Sequence, residues 1–149
     1  MKILTTLLAS VFMLVSVNAF ACATFRNAFE ETGHRDADTH SLYVKKTKMG
    51  GMPFQVGSIS SGTPASIDPG ETVDDCTTGG PMISVTYKIT DHVSGLDYNG
   101  NYVGNRDIYD LCDAIVTFDM VGATDAKING SSKCKASVSN GRATITIKP

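Results

Sequence analysis

Helical spacing is missing from this sequence. No long segment repeats apolar residues every three and four positions, which excludes a fold built from amphipathic helices. Apolar runs of membrane length are missing as well. The longest, Ile3 to Val17, falls short of the roughly 20 residues that a spanning helix needs. There is no basic excess: 13 Lys and Arg stand against 15 Asp and Glu, for a formal net charge of −2. Nucleic acid asks for a dense basic patch and anionic lipid for a polybasic segment, so neither is expected as a partner. Standard catalytic signatures are also absent. Gly57 to Gly62 has the wrong spacing for a nucleophile elbow, and no His-Glu-x-x-His, phosphate loop or dinucleotide fingerprint occurs. The four cysteines lack Cys-x-x-Cys spacing, which argues against a thiol oxidoreductase. Glutamate is scarce, three against twelve aspartates, so the pair Asp74-Asp75 is expected from composition and does not mark a catalytic dyad. Internal repeats and low-complexity tracts are lacking too, consistent with one domain.

What is present starts at the N-terminus. Lys2, the apolar run and then Asn18-Ala19-Phe20-Ala21 have the layout of a secretory signal peptide. Removal of 1–21 leaves 22–149 as a single secreted or periplasmic domain, in a compartment where thiols oxidise. A lipid-bearing Cys22 is disfavoured by the bulky Phe20, and it would leave Cys76, Cys112 and Cys134 as an odd set. Two disulfides are expected instead. Of the three connectivities, Cys22–Cys76 with Cys112–Cys134 is favoured, each bond stabilising the fold by about 3–4 kcal/mol through chain entropy.

Alternation of period two recurs along the mature chain. Ile83, Val85, Tyr87 and Ile89 share one side of a strand, and Ala114, Val116, Phe118 and Met120 share one side of another. Phe25 with Phe29, Leu42 with Val44, and Phe54 with Val56 mark three more strands. Asp68-Pro69-Gly70 is a tight turn, and Gly50-Gly51-Met52-Pro53 and Gly79-Gly80-Pro81 break the chain. Asn140-Gly141 suits a two-residue type I′ hairpin. Closing it sets Val138 against Ala143, Ala136 against Ile145 and Cys134 against Ile147, all on one face. A second hairpin at Asn99-Gly100 sets Leu96 against Val103. The sum is an all-β domain, an antiparallel β-sandwich of about eight or nine short strands, with a small closed β-barrel as the alternative.

Two segments carry candidate chemistry. His34, Asp36, Asp38 and His40 alternate and would share a face of an extended strand. At about 3.3 Å per residue, His34 and His40 would then stand roughly 20 Å apart. A single zinc or copper ion would need the segment to curl, or would bridge only neighbours such as Asp38 and His40. The other segment, Asp97 to Asp107, mixes Asp97, Tyr98, Asn99, Asn101, Tyr102 and Arg106. Tyrosine supplies flat apolar area at low entropy cost, and the polar residues supply adaptable hydrogen bonds, a composition suited to a protein or glycan surface. Lesser features read as structural. Lys45, Lys46 and Lys48 suit a solvated strand edge. Asp107, Asp110 and Asp113 would form an acidic ridge able to hold a cation on a single helical turn, and would divide between the faces of a strand. His92 beside Asp91 reads as a solvated strand end, and Asn129-Gly130-Ser131 is a glycosylation sequon only in a eukaryotic source. The favoured function is non-catalytic recognition through inter-strand loops. The alternatives are a metal-binding protein or metal-dependent enzyme centred on residues 34–40, and a membrane-active β protein, which would need an exposed apolar patch.

Overall fold

A computed structural model describes residues 20–29, 39–50, 59, 63–78, 82–96 and 102–148. Nine strands follow one another: β1 (Phe20–Asn27), β2 (Thr39–Gly50), β3 (Ala65–Ile67), β4 (Thr72–Thr78), β5 (Ile83–Leu96), β6 (Tyr102–Phe118), β7 (Ala123–Gly130), β8 (Cys134–Ser139) and β9 (Arg142–Ile147). They form two sheets, one of four strands in the order β4-β1-β9-β8 and one of five in the order β3-β2-β5-β6-β7. The sheets pack face to face as a β-sandwich and do not close into a barrel. The expected strand carrying Phe54 and Val56 lies outside the described residues. Every pairing is antiparallel except β1 with β9.

The inward side chains are those that the alternation selects. Phe25, Leu42, Val44, Val85, Tyr87, Ile89, Val116, Phe118, Ile145 and Ile147 are all fully buried between the sheets. The alternation fails at Met120, which is 73% exposed. Strand β6 ends at Phe118, because Asp119 Oδ1 accepts the backbone N–H groups of Val121 (2.8 Å) and Gly122 (3.1 Å) and turns the chain.

Both favoured disulfides are present. Cys22 and Cys76 sit directly opposite on β1 and β4, with Cα atoms 4.0 Å apart. Cys112 on β6 joins Cys134 on β8 and so ties one sheet to the other. Such bonds are common in extracellular proteins.

Asn140 and Gly141 both have positive φ, 51° and 72°, and the register Cys134↔Ile147, Ala136↔Ile145, Val138↔Ala143 is the one the turn type demands. The hairpin between β5 and β6 departs by one residue. Leu96 pairs with Tyr102 and Gly95 with Val103, so the connection is 97–101 and not Asn99-Gly100 alone. The register is carried back from the body of the long ladder through two irregularities, Ile89/Thr90 and Val93/Gly95. A two-residue turn cannot impose its register against a ladder of that length. The strands are also longer than expected, since bulges let β2, β5 and β6 bend and continue where a regular strand would end.

Candidate functional site

Two polar clusters interrupt the apolar interior, one toward each end. The first is built on alternation. Leu42 and Val44 face inward on β2, and so does Lys46, two residues on. The shift in register between Lys46 and Lys48 then turns the following residues outward, leaving Lys48 exposed. Lys46 is only 4% exposed, which corrects the expectation of a solvated edge for this residue, while Lys45 and Lys48 do meet solvent. Its Nζ reaches across the sandwich to Asp75 Oδ2 on β4, at 2.8 Å. Asp75 is fully buried and accepts two further hydrogen bonds, from Tyr87 Oη–H to Oδ2 (2.7 Å) and from the backbone N–H of Ile59 to Oδ1 (2.9 Å). Burial, then the charge of Asp75 and its hydrogen bond, push the Tyr87 hydroxyl far above its ordinary value, so it remains a proton donor. The Tyr87 ring packs edge-on to Phe25, centroids 4.8 Å apart.

Asp74, the sequence neighbour of Asp75, points to the opposite face of β4, as neighbours on a strand must. There it meets Thr24 and Arg142 on the outer surface, with Arg142 Nη1 3.0 Å from Asp74 Oδ2. The hydrogen bond from Thr24 foremost, aided by Arg142, holds its carboxyl below the usual 3.8 against the opposing effect of partial burial. The two carboxylates therefore serve separate networks and form no dyad.

The second cluster lies where β2 begins. His40 Nδ1 is 2.7 Å from Oδ2 of the fully buried Asp91, and its ring stacks on Phe29 at 4.2 Å. Asn27 of β1 donates from Nδ2 to the carbonyls of His40 (2.7 Å) and Ile67 (2.9 Å), a second polar tie between sheets. His40 is thus an oriented, mostly buried side chain. The other expected metal ligands, His34, Asp36 and Asp38, lie outside the described residues. Among the described residues no three His, Cys, Asp or Glu side chains converge on a point. His92 faces away from Asp91 and stacks on Tyr43 at 3.9 Å, in place of the solvated strand end expected for it.

No family model, curated protein or solved structure matches the chain.

The recognition segment falls partly outside the described residues, which exclude Asp97, Tyr98, Asn99 and Asn101. Tyr102 and Arg106 stand on β6. Thr39 at the start of β2 pairs with Ser94, and Leu96 pairs with Tyr102, so the beginning of β2 and the far end of the β5–β6 arm are neighbours at one end of the five-stranded sheet. Strand β7 reaches along β6 only from Phe118 to Cys112. Among the described strands β5 alone accompanies the remaining stretch of β6, so that the arm extends beyond β7 and ends at residues 97–101.

Two further features escaped sequence reading. Asp110 and Asp113 line the same shallow groove with Lys88 and Asn129, because the extra residue between Asp110 and Cys112 in the β5–β6 ladder resets the alternation. Lys88 Nζ is 2.8 Å from Asp110 Oδ2, and this contact raises its pKa. The second feature is an apolar end. The exposed Met49, Met82, Met120 and Val121 fall where β2 finishes, β5 starts and β6 finishes, opposite the 97–101 end. Met120 carried an inward signal in the alternation, which is why this grouping was not visible. No helix among the described residues is long and apolar enough to cross a membrane.

Proposed function

We propose that the chain is a secreted, non-catalytic binding module that recognises a protein or glycan surface through the segments at one end of its sandwich, 97–107 with 33–40 beside it. The observation that carries this reading is the adjacency of Thr39 with Ser94 and of Leu96 with Tyr102, on a frame closed by two disulfides. The segments that precede Thr39 and follow Leu96 are rich in tyrosine, asparagine, aspartate and histidine. Loops carried at the end of a rigid sandwich are a common place for recognition.

The test is a binding screen of the mature protein against glycan arrays, purified envelope and host surface proteins, and neutral lipid vesicles. The variant pair Tyr98→Ala with Tyr102→Ala is expected to weaken the detected interaction at least tenfold with an unchanged melting temperature. Retention of every interaction by that variant refutes the loop assignment, and vesicle binding alone favours the apolar end and a membrane-active role.

A second reading, metal binding at 34–40, draws support from His40. A carboxylate held against Nδ1, as Asp91 is, is the usual partner of a metal-ligating histidine. It predicts a rise in melting temperature with zinc or copper. No rise, or an equal rise in His34→Ala/His40→Ala, removes it.

A further inference from the structure

We propose that Lys46 and Asp75 condense to an intramolecular isopeptide bond, a covalent link between the two sheets. Lys46 belongs to the five-stranded sheet and Asp75 to β4, the edge strand of the other. Their side chains are 4% and 0% exposed, and Nζ already lies 2.8 Å from Oδ2. Fixing an amine against a carboxyl in this way replaces a bimolecular encounter with an intramolecular one, a change that is worth many orders of magnitude in effective concentration. Burial supplies the drive. An ion pair withdrawn from water loses hydration that its mutual attraction only partly restores, whereas an amide carries no net charge. Released water leaves the interior and does not return to hydrolyse the bond.

The surroundings of Asp75 fit the step. One proton passes from Nζ to the carboxylate, giving a neutral amine and a neutral acid. The Nζ lone pair then forms the bond to Cγ, and the carbonyl electrons move onto Oδ1. The backbone N–H of Ile59, 2.9 Å away, is placed to stabilise charge on that oxygen. Tyr87 Oη–H, 2.7 Å from Oδ2, relays a second amine proton to the departing oxygen. The Cγ–Oδ2 bond breaks as electrons return from Oδ1, and Oδ2 leaves as water. Of the three ammonium protons, two depart in that water and one stays on the amide. Nothing is oxidised or reduced, and no co-reactant is needed. Tyr87 is assigned as the proton relay, and Ile59 positions the acceptor oxygen.

Intact-mass measurement of the exported protein, reduced and denatured, tests this directly. The wild type is expected to be lighter than its reduced chain by one water. Trypsin should release a branched species in which Lys46-Thr47-Lys48 is joined to the peptide Met49–Lys88. Lys46→Arg and Asp75→Ala should restore the full mass, and Tyr87→Phe should slow the water loss at least tenfold. A wild-type mass equal to that of the linear reduced chain overturns the proposal whether or not the variants fold. A water loss that persists in Lys46→Arg, the mark of a succinimide, overturns it equally.

Discussion

At the scale of single residues, the most consequential positions are charged ones inside the sandwich. Lys46 was legible in part: it shares the parity of Leu42 and Val44, so alternation alone points it inward. Its neighbours Lys45 and Lys48 masked that signal by suggesting a common solvated role. Its partner was not legible, because Asp75 comes from a distant strand of the other sheet. Asp75→Ala removes the acceptor of three donors, and with it any bond to Lys46, and is expected to destabilise the fold by at least about 3 kcal/mol in urea denaturation, the lower end of the range seen when one partner of a buried pair is deleted. Asp74 makes a weaker, pH-dependent contribution. Its folded pKa is below 3.8, so its stabilisation is present above that pH and disappears as pH falls toward the lowered value. Melting temperatures followed from neutral pH to below 3.8 should show this loss in the wild type, and Asp74→Asn should lack that part of the decline.

At the scale of elements, local chemistry was decisive wherever turn and strand agree. Asn140-Gly141 dictated both the turn and the register of β8 with β9 because two positive φ angles and one clean apolar face admit a single solution. Asn99-Gly100 sits beside a bulged ladder, and the long-range pairing of β5 with β6 overrode it. Bulges have no reliable sequence mark, which is why the grouping of Asp110 with Asp113 was missed. Packing between two turns gives a further test. Gly122 has φ 150°, and a Cβ there would stand 2.5 Å from the carbonyl oxygen of Gly141, against which the next residue, Ala123, donates its N–H at 2.7 Å. Gly122→Ala is expected to cost about 2–3 kcal/mol through strain and steric overlap, read from the denaturation midpoint.

At the scale of the whole molecule, the disulfides divide the work of closure. Cys22–Cys76 closes a separation of 54 residues within one sheet, and Cys112–Cys134 closes 22 across the two. Chain entropy then makes the first the more stabilising by about 0.8 kcal/mol. Paired Cys→Ala variants, compared by urea denaturation, should show the larger loss for Cys22/Cys76. The reverse order would mean that the inter-sheet bond contributes through native contacts more than through chain restriction. The candidate recognition end is likewise a property of the whole. Its composition was visible in residues 97–107, but its proximity to the start of β2 depends on the pairing of Thr39 with Ser94.

The sequence by itself determined the all-β class, the inward sets of β5 and of β6 up to Phe118, the C-terminal hairpin and, by parity, that the four cysteines close two bonds, whose connectivity only the folded structure decides. Each of these follows from period-two spacing, φ preferences or parity, which act over a few residues or by simple counting. Tertiary structure alone decided how the nine strands divide between two sheets, which lysine is buried, and which carboxylate it meets. Those outcomes depend on contacts between strands remote in the chain, where pairing geometry and desolvation, not local preference, choose the partner.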